Sequence, residues 1–134
     1  MLTKEQILAA ADIRVKEVDV PEWGGTVFVR TPTGREQDQF DKSLEGKDGK
    51  RDGRRFSELF CALYLSDAEG NRIFTDSDAP MLGKKSMRAI RRIMDAALEL
   101  NGLKKEAVEE MEKNFDAMPP SDSGTTSPDI SVAL

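Results

Sequence analysis

From Ser86 to Asn101 the sequence SMRAIRRIMDAALELN sorts its side chains onto two sides of a helix. Met87, Ile90, Met94, Ala97 and Leu98 form one stripe, with Ala89, Ile93, Ala96 and Leu100 beside it; Arg88, Arg91, Arg92, Asp95 and Glu99 take the opposite side. An apolar face this wide contacts more than one neighbour. The rest of the chain must therefore supply at least two partner surfaces. A two-layer domain of this size does not easily cover such a face, so self-association is expected as well. Asn101-Gly102 stops the helix, since glycine adopts the left-handed conformation just past a helix end.

Candidate partners for that face lie on both sides of it. Downstream, Leu103, Ala107, Met111 and Phe115 recur every four residues among Lys and Glu, which predicts a final helix, Lys104–Phe115, forming a helical hairpin with the one before. Met118-Pro119-Pro120 ends it. Residues 121–131 are rich in Ser, Thr, Asp, Gly and Pro and bury too little to offset their ordering entropy, so residues 119–134 are expected to be a disordered tail behind a single domain, 1–118.

Upstream, Thr3 and Gln6 before Ile7-Leu8 make a capping box that starts a short helix. Ile13, Val15, Val18 and Val20, then Pro21-Glu22-Trp23-Gly24-Gly25, then Thr26-Val27-Phe28-Val29 predict a β-hairpin. The apolar parity shifts between Val15 and Val18, which fits a bulge or a strand that starts later than Ile13. Thr33 and Glu36 form a second capping box, opening a mostly wet helix whose large apolar residues are Phe40 and Leu44. Phe56 to Leu65 is densely apolar, with helical spacing at first. Leu63-Tyr64-Leu65, the turn Asp67–Asn71 and Ile73-Phe74 suggest a small second hairpin. Ser77-Asp78-Ala79-Pro80 predicts a short helical turn ended by Gly83. The expected fold class is α+β, with small β-hairpins packed against helices.

Composition then removes most chemistry. The 134 residues contain no His and one Cys, Cys61, which excludes a zinc site of thiolates and imidazoles, histidine catalysis and an internal disulfide within one chain. Lys plus Arg number 20 against 25 Asp plus Glu, a net charge of −5, which disfavours a general phosphate-binding surface. No run approaches the ~18 apolar residues of a membrane span. Residues 1–12 lack the apolar block and cleavage site of a secretory signal. A soluble, cytosolic protein is expected, with no cofactor and no metal.

The remaining motifs read as structure. A calcium loop starting at Asp48 would place Lys50 and Leu59 where carboxylates belong. Gly83-Lys84-Lys85-Ser86 resembles the end of a phosphate loop, but Asp78 stands where its first glycine is needed, so it reads as a helix start. The basic loop Lys47–Arg55 is interleaved with Asp48 and Asp52 and reads as a solvated surface; nucleic-acid binding through it is the alternative function to weigh, and a carboxylate hydrolase is a more distant third. Trp23 is either a partner anchor or a lid on the core, the lid being favoured for a lone Trp beside a hairpin. An interaction role remains by elimination.

Five segments in order resemble the tail assembly chaperones of long-tailed, non-contractile bacteriophages. These are Lys16–Gly25, Thr33-Gly34-Arg35-Glu36 with Phe40, Asp67–Phe74, Leu82–Ser86 with Leu100–Leu103, and Glu112–Phe115 before a Ser/Gly-rich tail; the resemblance extends over about residues 2–118. The resemblance implies a non-enzymatic protein of the host bacterial cytoplasm. It would keep the tape measure protein soluble during tail tube assembly and be absent from the finished virion. It also implies association with copies of itself, with the major tail tube protein, and with a longer form made by ribosomal frameshifting, of which this chain resembles the shorter form. A long helical client is best covered by amphipathic contacts, which places candidate anchors at Met111, Phe115 and Met118, with Trp23 as a further one.

Overall fold

The computed structural model describes residues 1–45 and 55–103. The predicted first hairpin is there: β1 (Val15–Val20) pairs antiparallel with β2 (Gly25–Arg30) in unbroken register from Val15 opposite Arg30 to Val20 opposite Gly25. Pro21–Trp23 form one 3-10 turn, and Gly24 completes the reversal at φ 70°, a region unfavourable to residues with a Cβ. No bulge interrupts the pairing. The strand starts at Val15, later than Ile13, and the parity change is a change of face: Val18 packs against the core with buried Val20, whereas Ile13 and Val15 lie against the Gly70 turn.

Both threonine capping boxes form. Thr3 opens α1 (Lys4–Ala9), with Thr3 N donating to Gln6 Oε1 at 2.9 Å and Gln6 N to Thr3 Oγ1 at 3.2 Å. Thr33 opens α2 (Gly34–Ser43) in the same way with Glu36, and α2 buries Phe40, followed by Leu44 at its end.

The dense apolar run corrects one expectation. Leu63 and Tyr64 belong to helix α3 (Phe56–Tyr64), on which every residue except Ser57 and Glu58 is buried. A continuous apolar run reads equally as a strand or a buried helix, and here the helix extends to its end. Only Leu65 and Ser66 form β3, which pairs with β2 and gives a sheet of order β1-β2-β3. After the Asp67–Asn71 turn the return strand amounts to a single bridge, Ser66 to Arg72, and Ile73 is exposed. Arg72 leads the chain away by bonding the Ala62 carbonyl and Asp76. A 3-10 turn (Asp76–Asp78) and α4 (Ala79–Leu82) follow, stopping at Gly83 as expected.

Ser86 caps α5 (Met87–Leu100), its Oγ accepting from Ala89 N at 3.1 Å. α5 lies against α3 and across β1 and β2, so its wide face is used within one chain. Ala89, Ile90, Ile93, Met94, Ala96, Ala97 and Leu98 are buried; Met87 alone of the stripe stands out, 74% exposed. The width of that face is therefore no reason in itself for copies to associate. Gly102, at φ 68°, ends the helix, with Leu103 N donating to Leu98 O at 2.9 Å. The predicted final helix and tail lie outside the described residues.

Arg30 is the polar centre of the fold. It is 4% exposed, donates Nε and Nη2 to the Leu63 carbonyl at 3.0 and 2.8 Å, and forks onto both Glu36 oxygens at 2.9 Å. Hydrogen bonding from the Arg30 guanidinium, against a smaller opposing effect of burial, brings the Glu36 carboxyl from 4.5 to about 2. Because the folded value lies below the unfolded one, this stabilisation is complete above pH 4.5 and is lost as pH falls toward 2. Acid titration of stability should show wild type losing on the order of 1–2 kcal/mol more than Glu36→Gln over that window, allowing for solvent screening. Parallel acid profiles for the two proteins would contradict this role.

Candidate functional site

Two chemistry-bearing side chains, Cys61 and Tyr64, are buried in α3. Burial pushes the Cys61 thiol up to about 12 and the Tyr64 hydroxyl up to about 12, so neither ionises near neutral pH. Among the described residues no three His, Cys, Asp or Glu side chains are grouped to hold a metal ion. Arg55, the described end of the basic loop, is turned toward Glu58 at 3.7 Å.

One surface is the exposed side of α5 where the first hairpin turn meets it. Glu22, in that turn, accepts from Arg92 Nε at 2.8 and 3.1 Å and lies 3.9 Å from Arg88. The Arg92 hydrogen bond holds the Glu22 carboxyl below its usual range. Beside this contact Met87, Arg88, Arg91, Arg92 and Asp95 line an open groove of about 370 Å³. Trp23, next to Glu22, is half-buried against the core, as a lid would be. The other sequence-predicted anchors, Met111, Phe115 and Met118, lie outside the described residues.

The second surface is α1, which sequence reasoning found but did not orient. It buries no residue, and Leu2, Ile7 and Leu8 are exposed. Isolated helices this short are marginal in water, so an apolar α1 is suited to a partner. Since these side chains contribute nothing to the core, Leu2→Ser with Leu8→Ser should leave the folding free energy within about 0.5 kcal/mol of wild type in a denaturant titration. A larger loss would mean that the arm packs on its own chain.

Comparison with known proteins places the chain. Residues 3–114 match the family model of the phage tail assembly chaperone. The chain belongs to this family. Its role is thus in tail assembly, exercised inside the host cell through contacts with other tail proteins, and the family's role is non-enzymatic. The α+β fold is shared with the tail assembly chaperone of bacteriophage HK97: TM-score 0.52 and 22% identity, over 72% of this chain and 90% of that one. No curated protein matches the sequence. No described helix of this tail assembly chaperone is long and apolar enough to cross a membrane.

Proposed function

We propose that the client of this chaperone is the tape measure protein, which it keeps soluble in the host cytoplasm while the tail tube polymerises, leaving before the virion is complete. The observation that carries this reading is α1, a capped helix with Ile7 and Leu8 exposed on it and Leu2 exposed just before it, left open by the described residues. Exposed apolar side chains of this kind mark interaction sites, and a long helical client with bare apolar stripes needs many such amphipathic contacts rather than one deep pocket.

Phe115 and Met118 are the proposed C-terminal anchors, with Met111 divided between core and client, and Trp23 contributing its exposed edge. Self-association, pairing with a frameshift-extended form and contact with the major tail tube protein belong to the same reading. The test replaces Phe115 and Met118 with Ser and measures thermal stability together with the solubility of coexpressed tape measure protein. Unchanged melting with lost client solubility is the expected result. Client solubility that survives, or that fails only in step with the chaperone's own unfolding, removes these two residues as anchors.

A further inference from the structure

We propose that the free edge of β1 takes up an extended segment of a partner protein as a further strand, one that sets Lys or Arg side chains against Glu17 and Asp19. β1 pairs with β2 alone, so in the order β1-β2-β3 its other side is an edge among the described residues. The phase of the ladder decides which backbone groups face out. Thr31 N donates to Arg14 O at 2.8 Å, and Arg14 precedes Val15, which stands opposite Arg30. Bonding alternates along an antiparallel pair, so Lys16, Val18 and Val20 turn their backbone groups toward β2, and Val15, Glu17 and Asp19 turn theirs outward. Among the described residues nothing bonds those outward N–H and C=O groups. β1 also runs its full length without Pro or bulge, and an edge of this kind templates another strand.

Side chains then choose the occupant. Lys16, Val18 and Val20 share the face that meets α5: Lys16 Nζ lies 3.1 Å from Glu99, Val18 packs against the core and Val20 is buried. Val15, Glu17 and Asp19 share the opposite face, where Val15 is half-buried and the two carboxylates are exposed. Glu17 accepts from Thr26 Oγ1 at 3.5 Å; Arg92, within electrostatic reach of Asp19, gives its hydrogen bonds to Glu22. A second copy pairing antiparallel through this edge, centred on Glu17, would set Glu17 beside Glu17 and gather the carboxylates of both copies on one face. Like charges directly opposite destabilise a sheet, so a copy of this chain is turned away. The same charges accept a basic strand, with an apolar residue beside Val15.

The test uses the full chain and acetylated, amidated peptides as long as β1, so it needs no tail protein and its failure is separate from failure of the client reading. Amide hydrogen exchange is read residue by residue, with and without a peptide alternating lysine and valine at millimolar concentration. The amides of Val15, Glu17 and Asp19 should exchange freely in the chain alone and about three- to tenfold more slowly with the peptide. Glutamate in place of lysine should remove the protection, and Glu17→Lys with Asp19→Lys should reverse the preference. A residue paired with Glu17 across this edge has its side chain on the same face, so the lysine amides are the ones that face β1. Methylating those amide nitrogens should therefore abolish protection. No protection by the lysine peptide overturns the docking. Protection already present in the chain alone overturns the free edge, and if it rises with protein concentration a second copy holds that edge. Equal protection by both peptides overturns the choice of a basic segment, and protection that survives N-methylation overturns strand addition in favour of ion pairing alone.

Discussion

Arg30→Ala should lower the unfolding free energy by about 3–5 kcal/mol, the range for breaking a buried ion pair from one side. The size follows from what one guanidinium joins. α3 ends at Tyr64, so the Leu63 carbonyl lies in its last turn and has no partner within the helix; Arg30 supplies two donors to it. The same side chain forks onto Glu36 in the first turn of α2, where the carboxylate also completes the Thr33 cap. Removing it leaves a buried carbonyl without donors and a carboxylate without its counter-charge. Arg30→Lys should recover only part of the loss, because an ammonium cannot bond both groups in one plane. Urea titration reads the outcome, and a loss under about 1 kcal/mol for Arg30→Ala would show that water replaces the guanidinium at little cost.

Phe60→Ala is expected to cost a similar amount, about 3–5 kcal/mol. Phe60 is the middle of an aromatic cluster. Its ring centroid lies 6.4 Å from Phe40, 5.9 Å from Phe56 and 4.3 Å from the stacked Tyr64, so truncation opens a cavity between α2 and α3. Phe60→Leu keeps most of the volume and should cost far less. A small effect of the alanine variant would mean that the neighbouring rings collapse into the space.

Much of this was legible in the sequence, and what was not has physical reasons. The α5 stripe set its buried face correctly at Ile90 and Ile93, because a 3.6-residue period over four turns admits one helix face. Thr3 and Thr33 announced their caps because the reciprocal bonds need only residues three apart. Leu63-Tyr64 was misread as strand because an all-apolar run has no period to distinguish the two. Arg30 gave no signal, since a charge in a strand reads as solvent-facing until its partners, Leu63 and Glu36, are folded around it. The orientation of α1 was equally hidden: Ile7 and Leu8 look like core residues in a short helix, and only the packed body shows that they stay exposed among the described residues. Met87 was assigned to the buried stripe on its period, yet it sits on the first turn of α5, past the edge of what α3 and the sheet reach.

The central claim is that this tail assembly chaperone holds the tape measure protein in solution, and the soluble fraction of that client measures it most directly. The tape measure protein is expressed alone, with the wild-type chain, and with the Leu2→Ser and Leu8→Ser variant, and is divided between supernatant and pellet. The account predicts an insoluble client alone, a soluble client that copurifies with the wild-type chain, and a client returned to the pellet by the equally stable variant. A client equally soluble with and without the chaperone would contradict it.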